Sequence, residues 1–215
     1  MAWWAIPKFL EMFPQGKCIF ILRDPRDVLC SFKRMTTNPS PGYMDAIFAS
    51  LGAFQQASNL SEHLPESSLF VIRYEDFVSN PESFCKNLCE FLEVTYDERM
   101  LDISRYKDVD GQSWVSNTSY SEPINKITSG SIGRWQKNIL PEELYILEMV
   151  LKDEMVRYNY PLSGQLFSID DSIKSFELLR HSEVLSQRFE RWLRKKKGID
   201  TYPNNPSWQP QTVDE

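Results

Sequence analysis

Residues 19–32, IFILRDPRDVLCSF, decide the fold of this chain. The apolar run from residue 17 to 22 carries β-branched and aromatic side chains and predicts a buried β-strand, which ends where charged residues begin. Asp24 can cap a helix, Pro25 suits the first helical position, and Asp27 is favourable near the positive end of a helix. The stretch therefore predicts a strand that passes directly into a helix.

A second apolar run that ends in charge, SLFVIRYED at residues 68–76, predicts another strand. Between the two runs, residues 44–63 place apolar side chains at helical spacing and predict a long helix. Two strands joined by a helical connection form a β-α-β unit with parallel pairing. Amphipathic helices are also predicted at 81–92 and 141–160. We therefore expect an α/β fold in which a parallel sheet is flanked by helices.

The pattern changes at about residue 164. Residues 1–164 predict an α/β domain, whereas residues 165–215 predict a C-terminal helical extension, with one amphipathic helix at about 170–197 and an irregular tail. That helix ends in RWLRKKKG, and positive charge at a helix C-terminus is favourable and commonly only solvated. A contact with a partner helix, an oligomer contact through residues 170–197 and binding of an anionic acceptor are the alternatives.

The composition is that of an ordinary globular protein of 215 residues, 41% hydrophobic and 25% charged. A formal net charge of −6 argues against nucleic acid as a partner, because such binders are broadly basic. No apolar run approaches the roughly 18 residues of a transmembrane segment. The first residues lack the apolar centre of a signal peptide. We expect a cytoplasmic protein, or one of the Golgi lumen if a preceding segment carries an anchor.

The four cysteines, Cys18, Cys30, Cys85 and Cys89, have the spacing of neither a disulfide framework nor a zinc site. Buried free thiols are the expectation, and no metal site is predicted.

Arg23 and Ser31 define the candidate binding site. In an open α/β sheet, ligands bind beyond the carboxyl ends of the strands, which is where Arg23 lies. Helical spacing puts Ser31 on the face of the helix that also carries Asp24 and Asp27. A guanidinium and a hydroxyl that converge on one point can bind a phosphate. An ion pair between Arg23 and Asp27, with Ser31 on the helix surface, explains these residues equally well.

Three segments resemble, in order, successive signatures of the sulfotransferase family: ILRDPRDVLCSF, VIRYEDFVSNPESFCKNLCEFL and TSGSIGRWQKNILPEEL. The likeness covers roughly residues 7–160. Within the family, the sequence is more similar to the bacterial and protein-tyrosine branch. Members of the family transfer a sulfuryl group from 3′-phosphoadenosine 5′-phosphosulfate (PAPS) to a hydroxyl or amine. The resemblance implies a P-loop-NTPase-like sulfotransferase architecture, PAPS as the sulfuryl donor, and a hydroxyl or amine acceptor.

The resemblance assigns six residues to the nucleotide: Arg23, Ser31, Tyr74, Thr128, Ser129 and Gly130. The first two match the pair that holds the 3′-phosphate. The tyrosine matches one placed near the adenine, although an ordinary strand-end aromatic in the core is an alternative. The last three match the segment that closes over the 3′-phosphate, where hydroxyls and backbone N–H groups can bind phosphate. Trp135 is interpreted as a packing anchor.

In the family, a loop of the Lys/Arg-Ser-Gly-Thr type holds the 5′-phosphosulfate, and it lies upstream of the strand that ends in RDPRD. The sequence contains no such stretch, and no catalytic residue is assigned. We therefore expect an N-terminally truncated sulfotransferase domain that is inactive as a fragment. The first alternative is a non-catalytic nucleotide-binding or interaction module of the same fold. The second is a nucleotide or nucleoside kinase, which would need a phosphate-binding lysine and acidic metal ligands.

Overall fold

The computed structural model describes residues 3–36, 41–107, 109–112 and 127–198. Within these residues the sheet has two strands, β1 (Cys18–Leu22) and β2 (Leu69–Arg73). They pair in parallel, with Cys18 opposite Leu69 and Leu22 opposite Arg73. The predicted parallel pairing and the α/β class are confirmed.

The α-helices of the described residues surround this sheet. They are α1 (Ile6–Met12), α2 (Pro25–Met35), α3 (Asp45–His63), α4 (Tyr74–Ser79), α5 (Pro81–Leu92), α6 (Trp135–Asn138), α7 (Pro141–Arg157), α8 (Ile169–Arg180) and α9 (Glu183–Lys196). Short 3₁₀ helices occur at Trp3–Ala5, Pro41–Met44, Glu98–Leu101 and Ile103–Arg105. The helices predicted at 44–63, 81–92 and 141–160 correspond to α3, α5 and α7, and the predicted passage from strand to helix corresponds to β1 and α2.

The second strand is shorter than predicted. It ends at Arg73, and Tyr74 begins α4, so the prediction of a strand through residue 76 was wrong. The buried Glu75 explains the turn, because its carboxylate accepts the backbone N–H of Asp24 (2.9 Å) and the hydroxyl of Tyr160 (2.7 Å). These bonds require Glu75 to face the interior, where the chain leaves the sheet.

The C-terminal extension contains two helices where one was predicted. The continuous helix at 170–197 is wrong, because α8 ends at Arg180 and α9 begins at Glu183. The hydroxyl of Ser182 accepts the backbone N–H of Leu185, which caps α9 and stops α8 from continuing through this point. The division of the chain at residue 164 and the oligomer contact stay predictions.

The hydrophobic core lies between the sheet, α3 and α7. Fully buried side chains of α3 and α7, Ile47, Phe54, Ile146 and Leu151 among them, contact one another beneath the strands. Each such side chain contributes about 1.5–3 kcal/mol when it leaves water. Leu179 of α8 and Leu185 of α9 belong to the same core. This packing fixes the position of β1, and with it the residues that follow the strand.

The two faces of β1 differ. Phe20 and Leu22 are 4% and 2% exposed and face the core, whereas Ile19 and Ile21 are 41% and 58% exposed on the opposite face. The alternation is that of a strand with one covered face.

A buried carboxylate ties α2 to α7. Glu143 of α7 accepts hydrogen bonds from the ammonium of Lys33 in α2, the hydroxyl of Tyr43 and the backbone N–H of Leu140. The carboxylate is fully buried, so its charge is tolerable only because three donors surround it. This network holds α2 at a defined height along the sheet.

Candidate functional site

The corner between β1 and α2 is built by local hydrogen bonds. The side chain of Asp24 accepts the backbone N–H of Arg26 (2.9 Å), so the predicted helix cap is confirmed. The guanidinium of Arg26 also donates to both oxygens of Asp24, at 2.9 and 2.7 Å, and both residues are buried. Its other face lies 4.0 Å from the centre of the Trp135 ring. Arg26 is therefore occupied inside the protein and is not presented to a ligand.

Arg23 lies in the crevice at the carboxyl end of β1. One terminal nitrogen, Nη2, donates to the carbonyl of Ser131 (3.0 Å), and the guanidinium lies 4.6 Å from the centre of the Tyr74 ring. The Nε nitrogen is buried and has no hydrogen-bond partner in the described part of the chain. Buried donors are rarely left unpaired, because each costs about 1–3 kcal/mol. The guanidinium thus keeps a donor that no group in the described part of the chain satisfies.

The alternative ion pair between Arg23 and Asp27 is not formed. Asp27 is 2% exposed, and both of its oxygens are used by backbone amides: Oδ2 accepts from Gly133 (2.8 Å) and Oδ1 from Trp135 (2.9 Å). Burial raises the pKa of the Asp27 carboxyl, which the two amide bonds and the nearby Arg23 oppose. Asp27 therefore uses its hydrogen bonds on backbone amides, and no salt bridge joins it to Arg23.

Ser31 and Arg23 line one cavity of about 570 Å³. The remaining walls are apolar and come from α1 and its entry, β1 and α2: Trp3, Ile6, Ile19, Phe20, Ile21, Val28 and Phe32. The structure thus places Arg23 and Ser31 on the wall of one cavity.

Tyr74 contacts the same group of residues. Its hydroxyl lies 2.8 Å from the hydroxyl of Ser131, and its ring packs beneath the guanidinium of Arg23. The side chain is half-buried, which differs from a core aromatic. Tyr74 is therefore placed where its polar atom and one ring face meet the site.

Thr128, Ser129 and Gly130 are exposed and hydrogen-bond within their own segment. The hydroxyl of Thr128 accepts the N–H of Gly130 (3.2 Å), and the carbonyl of Ser129 accepts the N–H of Ile132 (2.9 Å). No hydrogen bond joins these three residues to Arg23 or Ser31 within residues 3–36 and 127–198.

Ser131 also contacts Arg23, and the sequence analysis did not assign it to the site. It follows directly after the three predicted residues in TSGS, so the signal was present in the same motif. Gly133, two residues on, has a φ of +70°, a conformation that L side chains rarely adopt. This turn directs the backbone amides of Gly133 and Trp135 toward Asp27.

The described ranges contain neither a candidate metal site nor a disulfide. They contain no group of three or more His, Cys, Asp or Glu residues arranged to hold a metal ion. All four cysteines are free thiols, but only Cys30 and Cys89 are buried as predicted, whereas Cys18 and Cys85 are half-buried. Burial raises the pKa of Cys30 to about 11, with the nearby carboxylates Glu143 and Asp27 acting in the same direction. The helices that the structure describes include none with the length and hydrophobicity to span a bilayer.

Comparison with known proteins finds similarity to sulfotransferases. Residues 1–98 match the model of the "Sulfotransferase family". The amine sulfotransferase of Oryctolagus cuniculus is 21% identical over 199 residues, an alignment that covers 81% of this chain and 65% of the relative.

The solved structures that this chain resembles are also sulfotransferase domains. The sulfotransferase domain from the curacin biosynthetic pathway superposes with a TM-score of 0.56 and 26% identity, covering 74% of this chain and 60% of that domain. The sulfotransferase domain from the Synechococcus PCC 7002 olefin synthase shares the fold, with a TM-score of 0.52 at 22% identity over 68% of this chain and 50% of that one. These likenesses confirm the predicted resemblance to the sulfotransferase family. The chain spans less than two thirds of the length of these relatives, between 50% and 65%.

Proposed function

We propose that this chain binds the 3′-phosphoadenosine part of PAPS at the corner between β1 and α2, as the nucleotide-binding portion of a sulfotransferase. Arg23 and Ser31 hold the 3′-phosphate, and Tyr74 lies beside the adenosine. The acceptor of the complete enzyme is a hydroxyl or an amine. One observation carries the proposal: the guanidinium of Arg23 makes no ion pair among the described residues, retains a buried unpartnered Nε, and lines the same cavity as Ser31.

The electrostatics of the corner support a phosphate. The neighbouring charges are already satisfied, because Asp24 is paired with Arg26 and Asp27 with two amides. Arg23 is therefore the charge left for a ligand, and its planar fork matches a phosphate better than a point charge would. The chain is acidic overall, so the attraction is local and will weaken as salt is added.

Three further residues of the predicted set support the site less directly. Thr128, Ser129 and Gly130 lie in the exposed segment before Ser131, where backbone amides and hydroxyls can approach a phosphate once it is bound.

The location that we propose for this chain is the cytoplasm. Its four cysteines are free thiols, which match a reducing compartment.

The 215-residue chain is proposed to bind without transferring. PAPS, when bound, supplies the sulfuryl group, and transfer needs a base on the acceptor and positive charge at the leaving oxygen. The site residues described above hold the 3′-phosphate end of the nucleotide and are not assigned to either task. A transfer assay with PAPS and a panel of hydroxyl and amine acceptors tests this point. Measurable turnover by the unmodified chain would contradict it.

Calorimetry with 3′,5′-adenosine bisphosphate tests the binding site. Arg23→Ala should weaken binding about tenfold or more, because a positive charge is lost together with its hydrogen bonds to the phosphate. Ser31→Ala should weaken binding about threefold to tenfold, because one uncharged hydroxyl donor is lost. The matched control is Arg180→Ala, an exposed arginine on α8. Adenosine 5′-monophosphate, which lacks the 3′-phosphate, should bind the parent chain and the Arg23 variant equally. An unchanged affinity of the Arg23→Ala chain for the bisphosphate would overturn the proposal.

Two other functions are compatible with the sequence patterns. A nucleotide or nucleoside kinase is disfavoured, since the relatives found are sulfotransferases. A non-catalytic nucleotide-binding module shares the binding site proposed above and differs from it only in whether a complete form of the protein transfers sulfate.

A further inference from the structure

We infer that Asp27 is a positioning residue of the nucleotide site: its carboxylate holds the segment 131–135 against α2 and thereby places Ser131 between Arg23 and Tyr74. The effect of Asp27 on nucleotide affinity rests on the proposed function. The placement of the segment can be measured without any nucleotide.

The hydrogen bonds of Asp27 are unusual for an aspartate beside an arginine. Both oxygens accept backbone N–H groups, from Gly133 (2.8 Å) and Trp135 (2.9 Å), which are 106 and 108 residues away in sequence. A carboxylate buried to this extent is tolerated when it is hydrogen-bonded on both oxygens. The charged groups nearest to it are Asp24, which is paired with Arg26, and Arg23. Asp27 thus uses its hydrogen-bonding capacity on one segment of backbone.

That segment carries the residue that completes the site. Ser131 lies two residues before Gly133, and it contacts Arg23 through its carbonyl (3.0 Å) and Tyr74 through its hydroxyl (2.8 Å). The hydroxyl of Ser131 therefore lies beside the phenol of Tyr74, and its carbonyl lies beside the guanidinium of Arg23. A third hydroxyl there adds a donor for an anion bound by Arg23.

The other contacts of the segment are mostly internal. The guanidinium of Arg134 donates to the carbonyl of Gly130, and the amide of Asn138 donates to the carbonyl of Arg134. Both bonds span four residues and would survive a movement of the whole segment away from α2. The bonds to Asp27 and the packing of Trp135 on Arg26 join the segment to α2, and the two contacts of Ser131 join it to Arg23 and Tyr74.

The variant Asp27→Asn isolates this role. Asparagine keeps the shape and one acceptor but turns an NH₂ group toward a backbone N–H that needs an acceptor. Hydrogen exchange measured by mass spectrometry should be about tenfold faster in peptides covering residues 131–138, whereas peptides covering β1 and α7 should be unchanged. Calorimetry should show at least about fivefold weaker binding of 3′,5′-adenosine bisphosphate.

Two control variants are compared with Asp27→Asn. Asp153→Asn removes an exposed aspartate of α7 that pairs with Lys196, and it should change neither measurement. Asp27→Glu keeps the charge and both acceptor oxygens, and its exchange and affinity should lie between those of the parent chain and Asp27→Asn.

The parent chain supplies a test that needs no variant. Because coupling between two events is reciprocal, saturating 3′,5′-adenosine bisphosphate should slow exchange in residues 131–138. Faster exchange in Asp27→Asn with unchanged affinity would show that Asp27 only stabilises the fold, and unchanged exchange would show that it does not hold the segment. Either result overturns the inference while Arg23→Ala still weakens binding. Loss of the Arg23 effect would instead overturn the proposed function.

Discussion

The guanidinium of Arg23 lies 4.6 Å from the centre of the Tyr74 ring, although the two residues follow different strands. The register of the sheet explains the contact. Leu22 pairs with Arg73 in the parallel ladder, so the next residue of each strand leaves the sheet at the same edge and side by side. The carboxyl edge of the sheet thereby presents one cation on an aromatic face, beside the cavity that Ser31 lines.

The ring and the hydroxyl of Tyr74 should contribute separately to nucleotide binding. Tyr74→Phe keeps the ring beneath Arg23 and loses the bond to Ser131, and we expect about twofold to threefold weaker binding of 3′,5′-adenosine bisphosphate. Tyr74→Leu also loses the cation–π contact, worth about 0.5–2 kcal/mol, and we expect roughly tenfold weaker binding. Calorimetry separates the two contributions. Equal affinities for the two variants would show that the ring face does not position Arg23.

Arg26 should matter for stability and not for binding directly. Its guanidinium is buried with Asp24, so Arg26→Ala leaves a buried carboxylate without its partner and should lower the free energy of unfolding by about 3–5 kcal/mol. Urea denaturation measures the loss. The matched control, Arg194→Ala, removes an exposed pair with Glu190 four residues away on α9 and should cost less than about 1 kcal/mol. Similar losses for both variants would mean that the pair of Arg26 is not buried in solution.

The two glycines of the segment before α6 should respond differently to a side chain. Gly133 has a φ of +70°, so Gly133→Ala should cost about 1–2 kcal/mol from backbone strain alone. Gly130 is not in that region, and a Cβ there would meet only the hydroxyl of Thr128 at 3.4 Å, an ordinary contact distance. Gly130→Ala is therefore the control. Hydrogen exchange of residues 131–138 should rise in the Gly133 variant only, and an equal rise in both would contradict the strain argument.

Cys30 should be a slow nucleophile until the pH is high. Burial raises its pKa from 9.0 to about 11, so the thiolate is scarce at pH values where an exposed cysteine reacts. Alkylation by iodoacetamide at mildly alkaline pH should label Cys30 much more slowly in the folded chain than in urea. Labelling at the same rate in both would show that the thiol is accessible.

The same shift has a consequence for stability. The folded-state pKa of Cys30 lies above its unfolded value, so its contribution to stability is present below about pH 9 and is lost as the pH rises through about 11. The difference in unfolding free energy between the parent chain and Cys30→Ala should therefore narrow across that range. Taking the difference between the two chains cancels the titration of other groups.

Local sequence patterns account for much of this protein. The passage from β1 to α2 was predictable because an apolar run, a capping aspartate and a proline act within a few residues of one another. The common cavity of Arg23 and Ser31 was predictable because the repeat of a helix is local and regular. The family resemblance added the nucleotide, the fold and the candidate segment that begins at Thr128.

Other features depended on contacts between distant parts of the chain. Ser131 reaches Arg23 across 108 residues, and Asp27 reaches Gly133 across 106. Tyr74 starts a helix because Glu75 bonds to Asp24 and Tyr160, and neither partner is near it in sequence.

The sequence by itself determined which residues end β1 and which side of α2 carries Ser31, since both follow from backbone geometry over one or two helical turns. Only the tertiary structure decided which carboxylates pair with cations, which accept amides and which donor of Arg23 stays available. These choices depend on burial, because a charge inside the protein must be satisfied by whatever groups the packing of α2, α7 and the segment 131–135 brings within reach.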